Sequence, residues 1–171
     1  MNHEESNMQQ ACVSWFRAQY PQYAMLLIHP INEGSGHTTK DRRRQGIHKA
    51  EGAVAGVSDL IFFMPVYNAS LGLDEEYRED FGMSHGLCIE FKTPKGKQSQ
   101  EQKDFETMMK AAGYQYEIIR SFEAFRQLMT AWISLARKND RQRIASAHVT
   151  IVKEAEEREK KRFYKILGKE I

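Results

Sequence analysis

The strongest constraint on the fold of this chain is the alternation of short apolar runs with amphipathic helical segments. Apolar runs of strand length lie at residues 24–28, 59–64 and 86–92, and an alternating apolar pattern lies at residues 114–118. Segments with apolar residues at three- and four-residue steps precede, separate and follow these runs. The resulting order is helix, strand, strand, strand, helix, strand, helix. It predicts an α/β protein with a central mixed β-sheet flanked by helices.

Capping and stopping residues mark the helix boundaries. We expect Pro21 to end the first helix. Ser99 and Gln102 have the spacing of a capping box, and Ser121 is a further N-cap candidate. Residues 137–171 are dense in charges of both signs, which predicts a salt-bridged helical extension at the C-terminus.

Charge is distributed unevenly along a chain that is nearly neutral overall. The 25 Lys and Arg residues against 23 Asp and Glu residues give a net charge of +2, which excludes binding of nucleic acid by bulk positive charge. Residues 40–49 are basic, and residues 66–85 form an acidic insert that we expect to be exposed. The apolar runs are too short to span a bilayer, and no secretion signal precedes the first helix. We therefore expect a cytoplasmic protein without a membrane partner.

Glu90 and Lys92 are the first candidates for chemistry. Two residues apart on a strand, they point to the same face, roughly 7 Å apart, while Leu87, Ile89 and Phe91 point to the other face and supply a buried surface. An exposed ion pair on the solvent side of an edge strand is the simpler interpretation, because an isolated Glu-x-Lys pattern is common.

Asp59 makes a functional interpretation stronger. It begins an apolar strand directly after a glycine-containing turn, where its carboxylate can converge with one on a neighbouring strand. Two carboxylates held close together repel, so such a pair usually binds a divalent cation or shares a proton. Oxygen ligands suit Mg²⁺ or Mn²⁺ far better than zinc. The alternative is that Asp59 is only a turn residue at a strand start.

A set of motifs in fixed order resembles a known family. The motifs are Gly56-Val57-Ser58-Asp59, then residues 86–97 with Glu90-Phe91-Lys92-Thr93-Pro94-Lys95-Gly96-Lys97, then residues 100–105, then Ala111-Ala112-Gly113-Tyr114. They resemble the VRR-NUC (virus-type replication–repair nuclease) domain of the PD-(D/E)XK nuclease superfamily, over most of the chain. This resemblance implies a restriction-endonuclease-like core. Ser58 stands where the superfamily name expects proline, and the acidic insert lengthens the gap between the two acidic motifs.

The resemblance implies a role for each matching residue. Asp59 and Glu90 would be ligands of Mg²⁺ or Mn²⁺, and the backbone carbonyl of Phe91 would complete the protein share of the site. Lys92 would be the catalytic lysine. No small-molecule organic cofactor is implied.

Two further residues match family positions in helices. Glu5 matches the acidic residue of the first helix and would be a further or water-mediated ligand. Glu4 competes for this role, but the Glu-x-x-x-Gln spacing favours Glu5. Gln102 matches the family's motif glutamine near the active site. Because it also belongs to the capping box, we expect that its side chain cannot easily serve both purposes at once.

Two groups of basic residues are candidates for contact with DNA phosphates. Alone, the basic segment reads as a solvated loop, and the lysines after the third strand read as exposed turn residues. Beside a nuclease site, we favour phosphate contact for both groups. The residues are Lys40, Arg42, Arg43, Arg44, Lys49, Lys95 and Lys97.

The functional hypothesis is a metal-dependent DNA endonuclease. Stand-alone members of the family resemble dimeric Holliday-junction resolvases, which implies a homodimer acting on branched DNA and a bacterial, phage or prophage origin. Residues 1–136 would form the nuclease domain and residues 137–171 the extension. The stripe with Trp132 and Ile133 would belong to the core or to a dimer interface, and this stripe and the extension are the candidate dimer elements. The alternatives are a catalytically inactive DNA-binding module and a sequence-specific restriction-type nuclease.

Overall fold

The fold is built around a four-stranded sheet, as a computed structural model shows for residues 3–30, 47–48, 50–67, 83–136 and 138–166. A 3-10 helix, Pro21–Leu26, follows the first α-helix. The elements in chain order are α1 (His3–Gln19), β1 (Leu27–Ile28), β2 (Leu60–Phe62), β3 (Val66–Tyr67), β4 (Met83–Ser84), β5 (Leu87–Phe91), α2 (Gln100–Ala111), β6 (Gln115–Ile119), α3 (Phe122–Leu135) and α4 (Lys138–Ile166).

The sheet has the strand order β1-β2-β5-β6 and mixed direction. β1 and β2 are antiparallel, as are β2 and β5, whereas β5 and β6 are parallel. Leu60 faces Ile89 in the antiparallel pair, and Cys88 faces Tyr116 in the parallel pair. This arrangement confirms the prediction of a mixed sheet and makes β5 an interior strand, bonded on both sides.

The two faces of the sheet are covered by different helices. On one face, α1 and α3 pack over the residues of β5 that alternate with Glu90, as expected, and the Phe16 and Phe62 rings meet edge to face at 5.3 Å. On the other face, α2 packs over a smaller cluster through Phe105 and Met109. Burial of β5 on both faces means that any charged side chain it carries lies inside the protein.

The first strand differs from the sequence prediction. The apolar run at residues 24–28 was expected to be a strand, but its first part belongs to the 3-10 helix and only Leu27–Ile28 pairs with β2. Pro21 explains the difference, because its fixed φ suits the first position of a helical turn. That turn also buries Tyr23, so its apolar residues are used without strand pairing.

The acidic insert has an ordered base that the sequence did not reveal. Its two ends form the antiparallel pair β3 and β4, in which Val66 and Ser84 are buried. The strands therefore tie both ends of the insert to the body. The acidic residues between them, like the basic residues at 40–46 and 49, lie outside the described residues.

Trp132 and Ile133 are core residues, which corrects their assignment as dimer elements. Their exposed fractions are 3% and 7%, and the Trp132 indole Nε1 donates to the carbonyl oxygen of Met64 at 2.9 Å. The sequence could not separate the two roles, because an apolar helical stripe serves a core and an interface equally well.

The remaining helix predictions are confirmed. Ser99 and Gln102 form a complete capping box, and the Ser121 hydroxyl accepts the N–H of Ala124 at 3.2 Å. The C-terminal region is the 29-residue helix α4, which carries ion pairs such as Arg143–Asp140. The domain boundary at residue 136 stays a prediction. In the ranges that the structure describes, every helix is too short or too polar to cross a membrane.

Both cysteines are expected to resist alkylation in the folded protein. Cys12 and Cys88 are fully buried, and burial raises the pKa of their thiols to about 12 and about 11. Only the thiolate reacts, so at pH 8 native labelling with iodoacetamide should be about a hundredfold or more slower than in guanidinium. Mass spectrometry should show no adduct before unfolding and two after it. Rapid labelling of the native protein would contradict the burial of these residues.

Candidate active site

Asp59 and Glu90 face each other across the β2–β5 pair. Leu60 is opposite Ile89, and continuing this antiparallel register by one residue places Asp59 opposite Glu90. Facing residues of such a pair point to the same side of the sheet, with Cβ atoms about 5 Å apart. Both carboxylates are buried, with exposed fractions of 4% and 1%.

Lys92 completes a charged group on the same side of the sheet. It follows Glu90 by two residues, and its Nζ lies 2.7 Å from Glu90 Oε1. Lys92 is 8% exposed, so the pair is buried. The simple interpretation of Glu-x-Lys as an exposed pair on an edge strand is therefore wrong. Burying charges is costly unless each has partners, and a buried charged group with shifted pKa values is a candidate functional site.

The backbone of Phe91 is part of this arrangement. Its N–H donates to Asp59 Oδ2 at 2.8 Å, which fixes the carboxylate beside β5. Within a strand, the N–H and C=O of one residue point to the same side. This geometry puts the Phe91 carbonyl on the β2 side of β5, and its role as a backbone ligand stays a prediction.

Gln102 serves as cap and site residue simultaneously, which corrects the expectation that one role would exclude the other. Its Oε1 accepts the Ser99 N–H at 2.9 Å, closing the capping box. Its Nε2 donates to Glu90 Oε1 in a short hydrogen bond. A primary amide has an acceptor at one end and donors at the other, so the two contacts do not compete.

Tyr116 is a site residue that the sequence analysis missed. It lies on β6, and its hydroxyl donates to Glu90 Oε2 at 3.2 Å. Burial raises the pKa of this hydroxyl above its usual value, so it remains protonated and keeps its donor. Its place on the face of Glu90 follows from the parallel register, which was not known before the strands were aligned.

Gln9 and His29 support Asp59 from the opposite side. His29 Nδ1 lies 2.6 Å from the carbonyl oxygen of Asp59, and since a carbonyl only accepts, Nδ1 carries the proton. Gln9 is 8% exposed, and its Nε2 donates to the same oxygen at 3.4 Å. The Glu-x-x-x-Gln spacing was the available signal for Gln9.

Glu5 lies at the edge of the site. Its Oε1 accepts the N–H of Thr93 at 2.9 Å, which attaches α1 to the turn after β5. Its charge is close enough to raise the pKa of Asp59. Glu4 is exposed, so the structure brings Glu5 rather than Glu4 to the site.

Burial disfavours the ionised forms of the two central carboxylates. Burial raises the pKa of Asp59, against the opposing effects of the Phe91 N–H, Lys92 and His29. Burial, followed by the charge of Asp59, raises the pKa of Glu90 to about 7, although Lys92 and Tyr116 lower it. One lysine does not balance the carboxylates, so a bound cation would stabilise their ionised forms.

The donor atoms fit a hard divalent cation. Two carboxylates and a backbone carbonyl are oxygen donors, which Mg²⁺ and Mn²⁺ prefer, and Mg²⁺ is commonly held by one or two carboxylates together with water. The described residues contain no cluster of three or more His, Cys, Asp and Glu side chains, as an all-side-chain site would need. Any cation here would therefore have to share ligands with the backbone, water and substrate.

Lys95 and Lys97 lie in the turn that follows β5. Both are exposed, and within the ranges described neither has a carboxylate partner. Arg120 holds this turn by donating to the carbonyl oxygens of Thr93 and Gly96. The structure thus places two lysine ammonium groups beside the site. The other predicted phosphate-contacting residues, Lys40, Arg42, Arg43, Arg44 and Lys49, lie outside the described residues.

The mixed four-stranded sheet and the helices on both of its faces define an α/β domain with a buried charged group. A solved structure of a VRR_NUC domain protein has a similar fold, with a TM-score of 0.57 and 18% sequence identity over 77% of this chain and 89% of that one. This likeness confirms the predicted resemblance at the level of the fold. No family model matches the chain, and no curated protein matches it.

Proposed function

We propose that this protein is a metal-dependent DNA endonuclease of the VRR-NUC type. The observation that carries the proposal is the convergence of Asp59, Glu90 and Lys92 on one buried face of the sheet. Asp59 is distant from the other two residues in sequence, and the register of β2 and β5 joins them. The VRR_NUC likeness supports the fold in which such a site occurs.

The mechanism assigns a different task to each side chain. Asp59 and Glu90, with the Phe91 carbonyl, would hold Mg²⁺ or Mn²⁺, which when bound supplies Lewis acidity toward a water and a phosphate oxygen. Lys92 is held at Glu90 Oε1, where its ammonium can orient the attacking water and offset negative charge. Gln102 and Tyr116 fix the two oxygens of Glu90, so the site is organised before substrate binds.

The intact site favours catalysis over the alternative of an inactive DNA-binding module. In an inactive module, the side chains of the site would not all need to lie next to one another. Here Asp59, Glu90 and Lys92 are all buried and mutually adjacent, and four further side chains contact them or their backbone. A sequence-specific restriction-type nuclease would use the same chemistry, so only its substrates distinguish it.

A homodimer that acts on branched DNA is the finer part of the proposal. With Trp132 and Ile133 in the core, α4 is the remaining dimer candidate. It has exposed apolar residues along its length: Val149, Ile151, Val152, Phe163 and Ile166. Two sites related by two-fold symmetry would suit paired nicks across a junction. We place the protein in the cytoplasm of a bacterium or of a phage-infected cell.

Cleavage of a structured-DNA panel tests this function. We expect the purified chain with Mg²⁺ or Mn²⁺ to nick four-way junctions, flaps or single strands, and to leave all of them intact in EDTA. Denaturing gels of end-labelled strands report the nicks. If no DNA in the panel is cut with either metal, the enzyme assignment fails. Cleavage of one duplex sequence alone would favour the restriction-type alternative.

A further inference from the structure

An apolar groove lies beside the charged group, on the same face of the sheet. It has a volume of about 520 Å³ and runs between the end of β2 and helix α2. Its apolar lining includes Val54, Val57, Ile61, Phe63, Phe105 and Met109. We propose that this groove binds an unpaired nucleobase of the DNA substrate next to the cleaved phosphate. This inference rests on the proposed nuclease function.

Continuity with the site is the first argument. Ile61 and Phe63 follow Asp59 at two-residue steps, so they lie along the same face at intervals of about 7 Å. On α2, Phe105 and Met109 follow Gln102 at helical spacing. Both walls of the groove therefore begin at site residues. A DNA strand with one phosphate at the carboxylates of Asp59 and Glu90 would have its neighbouring base at the groove.

The chemistry of the lining favours a base over a phosphate. Lysine and arginine are both absent from the lining residues that the structure describes, and Glu51 would repel a phosphate. Phe63 and Phe105 offer aromatic surface, and stacking on aromatic side chains is how proteins commonly hold single-stranded bases. The sugar–phosphate chain would instead follow Lys95 and Lys97, on the other side of Asp59 and Glu90 along β5.

The exposure of the groove residues agrees with a binding role. Phe63 is 42% exposed and Val54 is 54% exposed, although they line the groove together with the buried Val57 and Ile61. His48 and Glu51 form a polar rim, with His48 Nδ1 3.4 Å from Glu51 Oε2. A flat heterocycle with an apolar face and polar edges matches such a lining. Because a paired base is inaccessible, the groove would favour flaps and junctions over intact duplex.

Binding of abasic oligonucleotides provides the test. A fluorescently labelled flap DNA would carry an abasic site at each position near the cleaved phosphate in turn, with Ca²⁺ in place of Mg²⁺ to limit cleavage. In the wild-type protein, one abasic position should weaken binding about tenfold, since stacking contributes on that scale. Phe63→Ala should remove this difference, and Phe63→Trp should restore it. Phe63 is partly exposed, so these variants are expected to fold.

The matched control is Phe122→Ala, which removes an aromatic ring that is 39% exposed on α3. It should retain the difference between base and abasic DNA. The inference is overturned if no abasic position weakens binding. It is also overturned if Phe63→Ala still binds abasic DNA more weakly than intact DNA. In either case, cleavage by the wild type would still support the proposed nuclease function. If Phe63→Ala instead converts a dimer into a monomer in sedimentation experiments, the groove holds a second copy, which also overturns it. Failure of the wild type to bind or cut any DNA would refute both proposals.

Discussion

Asp59→Asn is expected to abolish DNA cleavage, with a loss of at least about a hundredfold, while the fold remains intact. The asparagine keeps an oxygen that can accept the Phe91 N–H, which is now 2.8 Å from Asp59 Oδ2. It removes the charge that a cation site needs. Since burial already disfavours this charge, its removal should leave the unfolding temperature of the metal-free protein unchanged or higher.

The metal dependence of the unfolding temperature separates binding from catalysis. At a Mn²⁺ concentration about a hundred times its Kd, binding stabilises the native state by about 2.7 kcal/mol. For a chain of this size, that corresponds to a rise of roughly 5–10 °C. Wild-type protein should show this rise, and Asp59→Asn should not.

Asp104→Asn is the matched control for this variant. It makes the same chemical change at an exposed carboxylate on α2, and it should retain both cleavage and the rise with Mn²⁺. Lys92→Ala should also lose cleavage, because it removes the lysine ammonium group that lies against Glu90. Full cleavage by Asp59→Asn or by Lys92→Ala would show that the site is misassigned.

The sequence predicted those parts of the fold that depend on interactions between residues close together in the chain. The capping box of Ser99 and Gln102 follows from hydrogen bonds within four residues, and the structure contains it as expected. The alternation along β5 places its apolar residues on the face opposite Glu90, because strand geometry alone determines it. The 3-10 helix at Pro21 was missed because a short apolar run has no periodicity that separates a strand from a turn.

The parts of the site that the sequence missed depend on contacts distant in the chain. Tyr116 reaches Glu90 only through the parallel register of β5 and β6, which no local pattern encodes. His29 reaches the Asp59 carbonyl because β1 pairs with β2. The role of Trp132 stayed open between core and interface because its stripe does not reveal what covers it. In the structure, its indole N–H donates to the Met64 carbonyl. Prediction therefore succeeded within single elements, and across two elements for Asp59 and Glu90, which the ordered motifs had already paired.

The near-neutral charge of the chain has a structural counterpart at the site. Acidic groups occupy the buried centre, and the exposed lysines of the turn after β5 lie around it. A phosphodiester-cleaving site of this design needs a cation between its carboxylates and the negative substrate. The overall charge of +2 is therefore compatible with a DNA enzyme, because distribution rather than total charge determines where DNA can approach.

Among glycine-to-alanine substitutions at the described glycines, Gly56→Ala is expected to cause the largest loss of stability. Gly56 has φ +76°, and a Cβ there would lie 2.3 Å from the backbone of Glu101 and 2.6 Å from the Gln102 nitrogen. The turn before Asp59 thus packs directly on the N-terminus of α2. To remove this clash, one of the two backbone segments would have to move. We therefore expect the free energy of unfolding to fall by about 3 kcal/mol or more.

Gly52→Ala isolates the steric part of this effect. Gly52 also has a left-handed conformation, with φ +97°, but a Cβ there meets nothing within 4 Å. It should cost only the conformational strain, about 1–2 kcal/mol. Thermal unfolding should therefore show a fall of roughly 6–12 °C for Gly56→Ala and a clearly smaller fall for Gly52→Ala. Equal losses would mean that the contact between this turn and α2 is not tight. Because Gln102 sits at that contact, Gly56→Ala should also weaken cleavage at temperatures where the variant remains folded.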